Sequence, residues 1–163
     1  MEIITIDRKH FPQIAEIYKQ GLETGNATFE TTVPSWDDWD KSKLKHSRLA
    51  AVIDDTVVGW AALSGVSDRC VYGGVAEVSI YISNDYKGKG IGKALLSKLI
   101  EESEAKGIWT LQSGMFPENE ATVALHKSTG FRVIGYREKI GKLGNVWRDT
   151  IIMERRSKTI GII

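Results

Sequence analysis

This sequence contains little of the chemistry that cross-links small proteins or holds structural zinc. Among its 163 residues there are one cysteine, Cys70, and three histidines. One cysteine forms no intrachain disulfide, and so few thiols and imidazoles lack the spacing of a zinc site. We therefore expect no bound metal, and a reducing compartment such as the cytoplasm.

A strong charge bias and a long hydrophobic run are also missing. The chain has 22 Lys and Arg against 21 Asp and Glu, a formal net charge of +1, whereas proteins that bind nucleic-acid backbones carry a broad basic surface. No stretch approaches the roughly 20 apolar residues of a membrane helix, and the first residues lack the pattern of a signal peptide. We expect neither a nucleic acid nor a membrane as a partner.

Linkers, repeats and low-complexity tracts are absent as well, and there are only three prolines. A chain of this length can bury about two-thirds of its unfolded surface in one core. The sequence therefore predicts a single domain over residues 1–163. Residues 155–163 are expected to be a frayed end rather than a partner contact, because chain termini are usually loose.

Apolar periodicity predicts a mixed α/β layer fold with about seven strands and about four helices. Strands are predicted at residues 2–6, 48–53, 57–63, 75–82, 108–113, 131–138 and 146–153. Helices are predicted from residue 11 to about 25, from a cap at Ser35 to 44, over 90–106, and from 117 to 130. Asp54 and Asp55 are predicted to turn a hairpin, and strands separated by a helix are expected to be parallel neighbours.

A glycine-rich basic turn between a strand and a helix is the most informative segment. It comprises Lys87, Gly88, Lys89, Gly90, Ile91, Gly92 and Lys93. Glycines permit a tight turn and a close approach of a ligand to the backbone, and the first N–H groups of a helix lack partners inside it. Because the helix end and the lysines are positive, the turn is predicted to bind a phosphate or pyrophosphate.

The glycine spacing limits which phosphate site this is. A dinucleotide fingerprint needs G-x-G-x-x-G early in the chain, whereas these glycines run G-x-G-x-G in its middle. A P-loop needs Ser or Thr after its lysine, and Ala94 follows Lys93 here. The alternative is a turn that connects the strand to the helix and binds no ligand.

The pattern Lys87-x-x-Gly90-x-Gly92, after Ser-Ile-Tyr-Ile and before a long helix, resembles the pyrophosphate loop of the GNAT N-acyltransferases. Lys87 stands where that family usually has Arg or Gln. The resemblance continues through residues 119–131 and 144–149 and so covers nearly the whole chain. Within the superfamily the sequence is most similar to the phosphinothricin and methionine sulfoximine acetyltransferase group.

This resemblance implies the GNAT fold and acetyl-CoA as co-substrate. In that family the strand before the loop splays from its neighbour and pairs with the pantetheine amides like an added strand. That role falls on the backbone of Ile80, Tyr81 and Ile82, with residues 87–93 around the pyrophosphate. Asn119 has two roles of equal standing, as a helix cap and as a pantetheine contact.

Glu77 is the predicted general base for direct transfer to an amine. It alternates with Ser79 and Tyr81 on one face of a strand expected to be largely buried. A Glu in this place is the proposed base of the phosphinothricin group, and Glu77 is expected to deprotonate the amine through water. The alternatives are an edge-strand charge facing solvent and a core ion pair.

His126 is the candidate acid for the leaving thiolate. Many GNAT enzymes have Tyr here, and the phosphinothricin group has His. An imidazole can protonate sulfur or merely bind it, and the further alternative is a half-buried surface histidine.

An acidic or strongly polar amino acid as acceptor needs a cation or N–H donors and an aromatic wall. The residues predicted to bind the acceptor, in addition to Glu77, are Phe29, Arg69, Tyr72, Val78 and Ser79. The loop at 67–74 lacks the Trp-Arg or Trp-Lys start often seen in the group. A solvated loop charge is the alternative role for Arg69.

The resemblance also implies a homodimer, with Trp147 and Asp149 as interface or packing residues rather than catalysts. Two other functions compete with acetylation of a small amino acid. One is a GNAT transferase for a protein N-terminus, polyamine or aminoglycoside, for which a polycationic acceptor requires an acidic pocket around Glu77. The other is a non-catalytic CoA-binding module, against which the presence of both Glu77 and His126 argues.

Overall fold

Seven strands and four helices make up the computed structural model, which describes all 163 residues. The strands are β1 (Glu2–Thr5), β2 (Leu49–Ile53), β3 (Thr56–Gly65), β4 (Val75–Ile82), β5 (Thr110–Met115), β6 (Arg132–Leu143) and β7 (Val146–Arg156). The helices are α1 (Phe11–Glu23), α2 (Trp36–Ser42), α3 (Ile91–Ala105) and α4 (Glu120–Ser128). The predicted fold class is confirmed, and no helix has the length and apolar character needed to cross a membrane.

Local sequence signals explain where several elements begin and end. Ser35 caps α2, because its Oγ accepts a hydrogen bond from the N–H of Asp38 at 3.2 Å. Asp54 and Asp55 both have left-handed backbone, with φ of 48° and 63°, as a two-residue hairpin turn of right-handed twist requires. The predicted hairpin between β2 and β3 is therefore confirmed.

The end of the chain is ordered, so the prediction of a frayed end was wrong. β7 extends to Arg156. The Arg155 guanidinium donates to the Glu104 carboxylate at 2.7 Å, and Ser157 is buried with its hydroxyl accepting the N–H of Thr159 at 3.2 Å. Contacts with a helix some 50 residues earlier in the chain hold this end in place, and local sequence patterns do not predict such contacts.

The strands form one sheet in the order β1-β2-β3-β4-β5-β7-β6. All neighbours are antiparallel except β4 and β5, which are parallel. Helix α3 connects these two strands, and a parallel pair needs such a crossover. The prediction that strands separated by a helix are parallel neighbours is therefore confirmed for α3 alone. It was wrong elsewhere, because β1 and β2, on either side of α1 and α2, pair antiparallel, and β7 lies between β5 and β6, the strands on either side of α4.

Each face of the sheet has its own apolar core. One core contains Leu95 and Leu99 of α3 together with Val78 of β4. The other contains Ile14 of α1 and Trp39 of α2, with Tyr81 packed against it. Because side chains alternate along a strand, β4 directs Glu77, Ser79 and Tyr81 to the α1 face and the intervening residues to the α3 face.

Strands β4 and β5 separate after only three paired residues. Their ladder joins residues 75–77 to residues 110–112 and ends at Glu77 and Gln112. The backbone of β4 from Val78 to Ile82 still pairs with β3, but its groups facing β5 have no strand partner. The sheet therefore has a gap between β4 and β5, directly after Glu77.

Candidate active site

A cleft of about 1050 Å³ lies at the gap between β4 and β5. Its walls include residues 77–82 of β4, the glycine turn, residues 113–116, the start of α4 and the loop after α1. Because the gap interrupts the sheet, the cleft receives side chains from both of its faces. Most of the predicted site residues lie here, although far apart in the sequence.

Free backbone N–H groups surround the glycine turn. Gly88 and Gly90 have left-handed backbone, with φ of 77° and 78°, and Gly90 is the residue that precedes α3. No N–H group from Lys87 to Lys93 donates to a backbone carbonyl. All residues of the turn except Lys89 line the cleft. The turn therefore presents unpaired N–H groups to the cleft at the positive N-terminal end of α3.

Asn119 combines a cap with a position in the cleft. Its Oδ1 accepts the N–H of Thr122 at 3.3 Å, which caps α4. Its Nδ2 donates to the carbonyl of Asn26 at 3.3 Å, and the residue lines the cleft. The predicted capping role is confirmed, and the pantetheine contact stays a prediction.

His126 lies on the α3 face and is almost fully buried, with 1% of its surface exposed. Its Nδ1 is 2.7 Å from the carbonyl oxygen of Thr122, a contact that requires a proton on Nδ1. Its Nε2 is buried without a partner, and the residue lines the cleft. The alternative of a half-buried surface histidine was therefore wrong.

The ionisation of His126 follows from this environment. Burial lowers its pKa below the usual value, and the hydrogen bond to Thr122 only partly offsets this effect. The ring is therefore neutral at pH 7, with the proton on Nδ1. In that tautomer Nε2 accepts a hydrogen bond and has no proton to give, so the geometry favours a binding role over an acid role.

Glu77 lies where the gap begins, on the α1 face. It lines the cleft, and it takes part in none of the salt bridges of the chain. Its strand is interior, with β3 on one side and β5 on the other. Both alternatives for Glu77, an edge-strand charge and a core ion pair, are therefore contradicted.

Tyr81 contributes its ring to the α1 face as well as its backbone to the gap. The ring stacks on Tyr18 of α1 and Trp60 of β3, with centroid distances of 4.9 and 5.1 Å. Burial raises the pKa of the Tyr81 hydroxyl, so it stays protonated. A β-carbon on Gly21 would lie 2.6 Å from this ring, so α1 needs glycine at this point.

The loop after α1 crosses the cleft and is tied to distant elements. Arg148 of β7 donates to the Gly25 carbonyl at 2.8 Å and to the Asn26 Oδ1 at 2.6 Å. The Phe29 ring meets Phe116 edge to face at 4.9 Å, and both rings line the cleft. Phe29 thus covers the cleft, as its predicted acceptor role requires.

Three predicted site residues do not line the cleft, namely Lys89, Arg69 and Tyr72. Lys89 places its ammonium over the Tyr86 ring at 5.1 Å. Arg69 and Tyr72 are exposed, with the guanidinium over the tyrosine ring at 5.6 Å. The geometry of Arg69 thus favours the solvated loop charge over acceptor binding.

Several lining residues were not predicted from the sequence. They include Asn26, Thr28, Glu30, Phe116, Thr122, Arg137, Thr150 and Ile152. The position of Thr122 could have been predicted from the sequence, because Thr122 follows the cap Asn119 by three residues and precedes His126 by one helical turn. The positions of the strand residues could not, because their place in the cleft depends on the pairing of β6 with β7.

Comparisons with known proteins agree with this geometry. The family model described as "Acetyltransferase (GNAT) family" matches residues 11–131. The chain is 31% identical over 153 residues to the phosphinothricin N-acetyltransferase of Alcaligenes faecalis, covering 88% of this chain and 76% of that protein. It is 26% identical over 149 residues to the L-methionine sulfoximine/L-methionine sulfone acetyltransferase of Pseudomonas paraeruginosa, covering 88% and 87%.

A solved structure shows the same fold. It is a phosphinothricin acetyltransferase from Sinorhizobium meliloti in complex with AcCoA, with a TM-score of 0.86 and 30% identity. The similarity covers 95% of this chain and 87% of that one. Fold and sequence similarity thus point to the same group of proteins.

Proposed function

This chain belongs to the GNAT family of acetyltransferases, and from that premise we propose that it transfers an acetyl group from acetyl-CoA to the α-amine of a small amino-acid-like compound. The acceptor class is that of phosphinothricin and methionine sulfoximine, which the names of its relatives contain. The observation that carries the proposal is the gap after Glu77, which joins a cradle of free N–H groups to an unpaired carboxylate.

The residues of the cleft fit acetyl-CoA. The free N–H groups of the glycine turn, together with Lys87 and Lys93, suit a pyrophosphate. The unpaired edge of β4 from Val78 to Ile82 suits the amides of an extended pantetheine chain. When bound, acetyl-CoA supplies the acetyl group as an activated thioester.

The other roles in the reaction belong to residues on both faces of the sheet. On the α1 face, Glu77 takes a proton from the amine of the acceptor, directly or through one water molecule. The amine nitrogen forms the new amide bond as the C–S bond of the thioester breaks, and the released thiolate takes its proton from water. On the α3 face, the Nε2 atom of His126 accepts a hydrogen bond from the bound acetyl-CoA. Phe29 and Phe116 form an aromatic wall that excludes water from the cleft.

An acceptor panel tests this function directly. The purified protein is incubated with acetyl-CoA and one acceptor at a time, and release of free thiol is followed. Phosphinothricin, methionine sulfoximine and methionine sulfone are expected to give kcat/KM values at least about tenfold above those for spermidine, kanamycin or a peptide N-terminus. Binding of acetyl-CoA without turnover on any acceptor would instead support a non-catalytic module.

We also propose that the protein forms a homodimer through the β6–β7 hairpin. The hairpin exposes six large apolar side chains, those of Val133, Ile134, Tyr136, Ile140, Val146 and Trp147. Trp147 is 54% exposed, which favours an interface role over core packing, and so much exposed apolar surface on one element marks an interaction site.

Light scattering during size-exclusion chromatography tests the dimer. The wild-type protein is expected to elute at twice the mass of the chain. Trp147→Glu is expected to shift it to the monomer mass, because the substitution places a charge inside the interface. Arg132→Glu, on the same hairpin but in a salt bridge with Glu154, is the control, and an unchanged mass for Trp147→Glu would exclude the hairpin as the interface.

A further inference from the structure

Lys43, just after α2, is a half-buried cation that the proposed mechanism does not use. Its Nζ donates to the hydroxyls of Ser64 and Ser79, at 3.3 and 3.0 Å. It takes part in no salt bridge of the chain. An ammonium group removed from water without a carboxylate partner costs free energy, so its place needs an explanation.

The position of Lys43 is fixed by its neighbours. The Arg48 guanidinium donates to the carbonyls of Leu44 at 2.6 Å and of Lys43 at 3.2 Å. It also binds the Asp40 carboxylate at 2.6 Å and lies over the Trp39 ring at 5.2 Å. The backbone that carries Lys43 is therefore held against the sheet, and the ammonium is not a freely moving surface group.

The two serines place this charge beside Glu77. Ser64 of β3 is the direct cross-strand partner of Glu77, and Ser79 follows Glu77 by two residues on the same face of β4. Ser79 lines the cleft. Lys43 therefore contacts the cleft indirectly, through the Ser79 hydroxyl. It lies on the face of the sheet from which the amine would reach Glu77.

The Ser79 hydroxyl transmits the charge of Lys43 into the cleft. It accepts from Nζ, and it donates its own proton to no acceptor in the chain. A hydroxyl that accepts from a cation becomes a stronger donor. Ser79 thus offers a polarised O–H, and an anionic oxygen is the partner that satisfies it best.

Two carboxylates act on the charge of Lys43 from a distance, and neither is paired with it. Burial lowers the pKa of Lys43, whereas the negative charges of Glu77 and Glu30 act in the opposite direction. Neither carboxylate lies within salt-bridge distance of Nζ. An anion bound at Ser79 would stabilise the ammonium that the chain itself leaves without a carboxylate partner.

We infer that Lys43 is a positioning residue which, through the Ser79 hydroxyl, binds the carboxylate of the acceptor so that its amine meets Glu77. This inference rests on the proposed function and adds how the acceptor is selected. The same cation repels acceptors without an anion, such as polyamines. The site therefore distinguishes an amino acid from its amide, which carries the same amine and side chain but no carboxylate.

Lys43→Met tests this selection, because methionine keeps the length of the side chain and removes its charge. Kinetics are measured with methionine sulfone and with methionine sulfone amide as acceptors. The substitution is expected to raise the KM of the acid by about 10- to 100-fold, the size of a lost charge-assisted contact. The KM of the amide and the KM of acetyl-CoA should change by less than about threefold.

Companion variants separate this role from a structural one. Lys41→Met alters an exposed lysine two residues before Lys43, inside α2, and should leave all constants unchanged. Lys43→Arg, which keeps the charge, should recover part of the acid selectivity. Ser79→Ala should raise the KM of the acid more than that of the amide, and it provides a second test if Lys43→Met proves unstable in a thermal melt.

Each outcome of these assays decides the inference. Wild-type preference for the acid that is lost in Lys43→Met supports it. Equal losses for the acid and the amide in Lys43→Met and in Ser79→Ala would overturn it and leave the proposed function intact. Wild-type protein that acetylates neither these two compounds nor phosphinothricin or methionine sulfoximine would overturn the proposed function and this inference together.

Discussion

Glu77→Gln is expected to lower kcat for acetyl transfer by about 10²- to 10⁴-fold, the range that general-base catalysis contributes. Glutamine matches the shape of glutamate but accepts no proton at neutral pH, so the amine would remain protonated as it approaches the thioester. Glu77 precedes the glycine turn by ten residues and forms no salt bridge with its lysines. The Kd of acetyl-CoA should therefore stay unchanged, so that the loss falls on turnover.

The control for this variant is Glu30→Gln, which neutralises a second carboxylate lining the same cleft. Glu30 is exposed and belongs to the loop rather than to the edge of the gap, so only a small change in kcat is expected. Turnover and acetyl-CoA binding are measured for both variants from about pH 6 to about pH 9. Equal turnover of Glu77→Gln and wild type across that range would remove Glu77 as the base.

Gly90→Ala is expected to raise the KM for acetyl-CoA by about tenfold or more. Left-handed backbone costs an L-residue about 1–2 kcal/mol, and about 1.4 kcal/mol corresponds to a tenfold change in binding. The glycine turn would relax away from the geometry in which its N–H groups converge. No atom lies within 4 Å of the added methyl group, so the expected effect comes from the backbone conformation and not from a clash.

Gly107→Ala is the matched control, because Gly107 follows the opposite end of the same helix. Its φ is 86°, and it also has no atom within 4 Å of a β-carbon. Both variants should lose similar thermal stability, but only Gly90→Ala should weaken acetyl-CoA binding, as measured by calorimetry. Equal acetyl-CoA affinities in the two variants would show that the turn does not hold the pyrophosphate.

The part of the site that could be predicted from the sequence lies in continuous segments. The turn from Lys87 to Lys93 is a strand, a glycine run and a helix start in direct succession, so its geometry follows from local rules. Glu77 was identified by alternation along one strand, and Asn119 by its place before a helix. In each case the information lies within a few residues.

The rest of the site depends on contacts between distant parts of the chain. Arg148 binds Asn26 across a separation of 122 residues, and Lys43 reaches Ser79 across 36. Neither residue stands in a local pattern that distinguishes it from a surface cation. Arg69 shows the converse, because its place in the loop before β4 favoured a role in the cleft that the structure does not support.

The gap between β4 and β5 also affects the order in which the two substrates can bind. Because the cleft is lined from both faces of the sheet, the proposed acetyl donor and the acceptor reach the same point from opposite sides. Neither has to leave before the other arrives, and Cys70, the one thiol of the chain, is exposed and outside the cleft lining. The architecture thus suits a ternary complex assembled in either order, without a relay of the acetyl group through the protein.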